Sequence, residues 1–183
     1  MDYMYDSDIS VNTYRSVVMK SIYLIGSLRN PDIPKTAAAI RAGTRLEVFD
    51  DWYAAGPIAD DSWRDYEQGK GHNFPQALAG YAARHVFSFD QHHLNRCDSA
   101  VLCLPAGKSG HLELGYMAGL GKPTFILMEG EPERFDVMYQ FATGGVYYSV
   151  ESLCEEINSV VSVRAFHDAY DPPDDILTNE RYA

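Results

Sequence analysis

Apolar residues follow two rhythms along the chain. Short unbroken runs, SIYLIGS (21–27), SAVLCLP (99–105) and PTFILM (123–128), read as strands buried on both faces, each closed by glycine, proline or a polar residue. RLEVFD (45–50) and VYYS (146–149) are shorter strand candidates. Between them, apolar positions recur at helical spacing. IPKTAAAIRAG (33–43) predicts a helix with Gly43 as its stop, and PQALAGYAARHVFSFDQHHLNRCD (75–98) predicts one long helix with Pro75 in its first turn. SGHLELGYMAGLG (109–121) predicts a helix capped by Ser109 and stopped by Gly121. EPERFDVMYQFAT (131–143) and VESLCEEINSVVSV (150–163) complete the helical set. DWYAAGPIADDSWRDYEQGKGHNF (51–74) shows weak periodicity and predicts a long functional loop with one helical turn.

Strands that alternate with helices predict an α/β fold: a five-stranded parallel sheet with helices on both faces, of the flavodoxin or Rossmann-like kind. Residues 21–163 form the expected domain. Residues 1–20 are expected to be a tail or peripheral element, and the acidic, proline-bearing 164–183 an arm. In such sheets ligands bind at the carboxyl ends of the strands, where strand order reverses. The segments that follow 21–27 and 99–105 are therefore candidate walls of one pocket.

Charge narrows the partners. A formal net charge of −11 disfavours a nucleic-acid polymer or an anionic membrane, but it leaves room for a single nucleoside or nucleotide. No apolar run reaches the roughly 18–20 residues of a membrane span, and the acidic start of the chain is unlike a signal peptide. The three cysteines, Cys97, Cys103 and Cys154, are read as reduced structural thiols in a cytoplasmic protein.

Two carboxylates carry the candidate chemistry. Glu113 falls in the first turns of its helix, where the dipole favours an ionised carboxylate, and Gly107, Gly110, Gly115 and Gly119 leave room for a ligand. An ionised, aimed carboxylate is a nucleophile for a sugar carbon; the plainer alternative is a solvated helix charge. Asp90 interrupts an apolar helical stretch, where aspartate is a poor helix former, and reads either as a second acid or as an outward-facing residue. Asp98, between that helix and the next strand, reads first as a local cap. Trp52, Trp63 and Tyr66 either stack on a base or cover the core. Adjacent His92 and His93 point about 100° apart on a helix, so no metal site is expected. GKSG (107–110) lacks the full spacing of a phosphate loop.

SIYLIGSLRN (21–30), FDQHHLNRCDSAVLCLP (89–105) and HLELGYMAGLGKPTFIL (111–127) together resemble the nucleoside 2-deoxyribosyltransferase superfamily, which includes the 2'-deoxynucleoside 5'-monophosphate N-glycosidases. The resemblance implies that Glu113 attacks C1' of the deoxyribose, that Asp90 handles the leaving base and that Tyr23 orients the nucleophile. It implies that Ser27 and Arg29, beside Gly26, face a 5' phosphate in the monophosphate hydrolases. It further implies that Asp136 and Met138 reach the 5' end of the sugar from a neighbouring subunit, so a homo-oligomer is expected. Gly26, Asp98, Gly107, Ser109, Gly110, Trp52 and Trp63 complete the candidate substrate contacts. No cofactor is expected, because the carboxylates carry the chemistry.

Two positions depart from the family pattern. Gly107 stands where the transferases have an aspartate and the hydrolases a serine, and Asp136 stands where the hydrolases have a serine for the phosphate. Asp136 would repel a phosphate dianion but accept a hydrogen bond from a 5'-hydroxyl. The leading expectation is therefore an N-glycosyl enzyme on 2'-deoxyribonucleosides, transferring deoxyribose between bases or to water. The alternatives are a 5'-monophosphate N-hydrolase and a non-catalytic nucleotide-binding or sensing protein.

Overall fold

The computed structural model describes residues 19–170, with only the course of the helix over 162–170. The N-terminal element expected over 1–20 lies outside the described residues up to residue 18, as does the arm from residue 171 onward. Five parallel strands, β1 (Ser21–Ile25), β2 (Glu47–Phe49), β3 (Ser99–Cys103), β4 (Thr124–Leu127) and β5 (Gly145–Tyr147), pair in the order β2-β1-β3-β4-β5. The fold is the expected α/β fold, and strand order reverses between β1 and β3.

β1, β3 and β4 are buried along their whole length, which is why their runs do not alternate. On one face Ile22, Leu24, Val101 and Phe125 pack under α1 (Ile33–Thr44) and α6 (Val150–Tyr170). On the other, Tyr23, Ile25, Ala100, Leu102 and Ile126 pack under α4 (Tyr81–Arg96) and α5 (Lys108–Gly119).

Gly43 does not stop α1. The helix continues to Thr44 and ends at Arg45 in the left-handed region (φ 60°). Gly43 is small because α6 crosses there: a Cβ would lie 2.7 Å from Cys154 Sγ. The stretch expected as a loop folds into a 3-10 turn, Asp51–Ala55, and a helix α2 (Ala59–Gly69). Glu67 is the one residue of α2 that is buried, and Ala59 and Trp63 before it on the same face are half-buried, so the inward face is short and ends in a carboxylate. The long helix expected over 75–98 is two helices. α3 (Phe74–Leu78) starts on a reciprocal Asn73–Gln76 capping box, and α4 begins after Gly80, whose backbone is extended. The helix expected over 131–143 shrinks to a 3-10 turn, Val137–Phe141.

Candidate active site

β1, α4 and α5 bring Tyr23, Asp90 and Glu113 together on one face of the sheet. α5 lies close because Gly110 faces the strands; a Cβ there would sit 3.0 Å from Ile25 and 3.1 Å from Leu102. Leu114 and Met117 bury the same helix face, and this seating carries Glu113 into contact range of the other two. Gly107 takes the N-cap position, so the expected cap at Ser109 does not form and Ser109 is exposed within the first turn.

Asp90 is placed by an aromatic ladder that the sequence did not announce. Tyr23 packs on Phe49 (centroids 5.2 Å), and Phe49 stacks on His93 (3.8 Å) and touches Phe89 (5.9 Å). Phe89 and His93 flank Asp90 on α4, so their grip on Phe49 fixes the face that Asp90 presents. Arg96, bonded through both nitrogens to Glu47 (2.8 and 3.1 Å), ties the next turn of α4 to β2.

The electrostatics follow from burial. Glu113 is pushed up from 4.5 to about 8, first by loss of water and then by the charge of Asp90. The helix start was expected to keep it ionised; desolvation outweighs the dipole. Burial also raises Asp90, while a hydrogen bond from the Tyr23 hydroxyl pulls it partway back. Burial, and then the charges of Glu113 and Asp90, drive Tyr23 far above the ordinary tyrosine range, so its hydroxyl stays protonated as a donor. Near neutral pH Glu113 therefore holds its proton, and because the two carboxyls interact, their titrations belong to the pair.

At the reversal of strand order lies a cleft of about 350 Å³ lined by Ser27, Arg29, Asn30, Pro31, Asp32, Pro105, Ala106 and Glu129; Tyr23, Asp90 and Glu113 are not part of its lining. Ser27 Oγ accepts from Arg29 N (3.2 Å) and shapes the rim. Gly26 has a packing role, since a Cβ would lie 2.4 Å from Ile33 Cδ1. Trp52 also turns inward: its indole N–H donates to Leu24 O (2.8 Å) just past the short pairing of β2.

Other candidates lie elsewhere. Asp98 sits at the amino end of β3, away from the strand ends that form the cleft, and its Oδ2 accepts from Lys20 N, Ser21 N and Ser21 Oγ at 2.8–3.0 Å. It anchors the start of β1, which is the local role read first. Trp63 lines a separate cavity of about 110 Å³ with Glu67 and His72, and its indole nitrogen is buried without a partner. Asp136 accepts from Met138 N (3.0 Å) and caps the exposed 3-10 turn. Neither Asp136 nor Met138 lines the cleft of its own chain. Among the described residues no group of three His, Cys, Asp or Glu is placed to hold a metal, and no helix is long and apolar enough to cross a membrane.

No protein-family model matches the chain, and a search of curated proteins finds no match.

Proposed function

We propose that the chain is a retaining N-glycosyl enzyme acting on 2'-deoxyribonucleosides. The observation that carries the reading is the convergence of Tyr23, Asp90 and Glu113, from three separate elements, on one face of the sheet. In the first step a Glu113 carboxylate oxygen bonds to C1' as the C1'–N bond breaks. The bonding pair leaves with the base, which takes a proton from Asp90. Tyr23, held protonated, donates to Asp90 and keeps the pair aligned. In the second step an acceptor base or water attacks C1', expels Glu113 and returns a proton to Asp90.

The working state has Glu113 ionised and Asp90 protonated, so a proton must move from Glu113, where burial favours it, to Asp90. Substrate entry shifts that proton when the sugar carbon, becoming cationic, favours charge on Glu113.

A second reading, hydrolysis of the 5'-monophosphate, draws support from Ser27 and Arg29 on the cleft wall. The resemblance and the exposed turn that carries Asp136 and Met138 further support assembly as a homo-oligomer in which those residues serve a neighbouring site. Incubation with a panel of deoxynucleosides and their monophosphates, with and without a free acceptor base, tests the proposal. Base exchange or base release from nucleosides supports it; release from monophosphates alone selects the second reading; binding without turnover of any compound sinks both.

A further inference from the structure

Arg29 is the one cation among the residues that line the cleft, and it is already engaged. Its Nη2 lies 2.8 Å from Asp61 Oδ2, on α2, and the other oxygen of Asp61 accepts from Arg64 Nη1 at 3.0 Å. Asp61 is thus gripped from two sides. Its carboxyl is held below the ordinary range, first by the Arg29 hydrogen bond, so it stays charged at neutral pH. Asp32 and Glu129 face the same space. A phosphate entering the cleft would compete with Asp61 for the Arg29 guanidinium, and would meet carboxylates as neighbours. A hydroxyl needs neither.

We propose that Asp61 is a positioning residue that sets ligand choice: by holding Arg29 on α2 it turns the cleft against phosphate-bearing ligands and leaves it open to uncharged ones. The proposal rests on the glycosyl-transfer reading only in taking this cleft as the place of the sugar's 5' end. The pair is half-exposed (side chains 61% and 40% accessible). Exchange of partners is therefore cheap, and the effect is a bias of roughly tenfold, the combined scale of one exposed ion pair and one nearby like charge.

The direct test titrates inorganic phosphate into the full chain at low ionic strength, with thermal stability as the readout. The proteins are wild type, Asp61→Asn, Arg29→Ala and the double variant. Asp61→Asn is expected to bind phosphate roughly tenfold more tightly than wild type, and the double variant no better than Arg29→Ala. Unchanged binding in Asp61→Asn, or a gain that survives removal of Arg29, overturns the proposal. In the enzymatic arm, Asp61→Asn should lower KM for the deoxynucleoside monophosphate while its kcat holds. A phosphate gain without turnover of any nucleoside or nucleotide keeps the role of Asp61 and sinks the glycosyl-transfer reading. Turnover with no phosphate gain does the reverse.

Discussion

At the scale of single residues, Glu113 carries opposing demands. Replacement by Gln removes the proposed nucleophile, and turnover should fall on the order of 10³-fold or more. The same change should stabilise the fold in alkali. Because burial raises Glu113 from 4.5 to about 8, the native state binds this proton more tightly than the unfolded chain does. That stability is fully present below the unfolded value and is lost as pH rises through about 8. Thermal melts should therefore show Glu113→Gln gaining on wild type as pH rises from 4.5 to about 8, with no further gain above that; parallel curves would mean that Glu113 is not desolvated. The activity of wild type should fall on the alkaline side near 8, as the pair loses its last proton. Asp90→Asn should draw the Glu113 titration downward by removing the neighbouring charge, followed by carboxyl NMR. Glu113 and Asp90 stood out in the sequence as a carboxylate among glycines and an aspartate inside an apolar helix, each with a plainer reading open, and Tyr23 joined them only through the resemblance. The protonation of Glu113 was not legible, since desolvation depends on what α4 and β1 place around it.

At the scale of elements, what was legible depended on whether burial leaves a linear trace. β1, β3 and β4 announced themselves as apolar runs, whereas α2 did not, because its inward face is short and its one buried residue is Glu67. His72 Nδ1 and Lys70 Nζ reach Glu67 at 2.6 and 3.1 Å, local contacts that satisfy the carboxylate at the end of the helix. The placement of α4 has a similar hidden support. Lys122, in the GKP stretch before β4, donates from Nζ to Leu94 O, Asn95 O and Cys97 O at 2.8, 2.7 and 2.6 Å. It satisfies carbonyls at the end of α4 that no intrahelical donor reaches and places a cation at the negative end of the helix dipole. Lys122→Met should cost about 2–3 kcal/mol, the scale of charge-assisted bonds lost from partly buried acceptors. The loss is read by denaturant unfolding; a change under about 0.5 kcal/mol would assign those carbonyls to solvent.

At the scale of the whole molecule, one chain leaves too much apolar surface in water. α4 has Leu94 as its only fully buried residue, while Tyr81 (88% exposed), Val86 and Phe87 stand open, as do Leu112 (76%) and Tyr116 of α5. Phe135 (80%), Val137, Met138 and Phe141 form a further open group around the 3-10 turn. Patches of this kind on a folded chain mark contact surfaces. The periodicity of α4 showed an apolar face but not whether the chain itself covers it, so the expected assembly followed from the aromatic and apolar stretch RFDVMYQFATGGVYY (134–148) and from the resemblance. Light scattering should give at least a dimer, and Phe87→Glu should weaken it. Hybrid assembly tests the shared site directly. Suppose Asp136 serves the neighbouring cleft. Glu113→Gln and Asp136→Ala proteins are then each nearly inactive, but a mixed dimer joins an intact Glu113 on one chain to an intact Asp136 on the other. Equal mixing followed by exchange should restore about a quarter of wild-type activity, since half of the dimers are hybrid and each has one complete site. If Asp136 acted within its own chain, no mixture would hold a complete site, and activity would stay at the level of the separate variants.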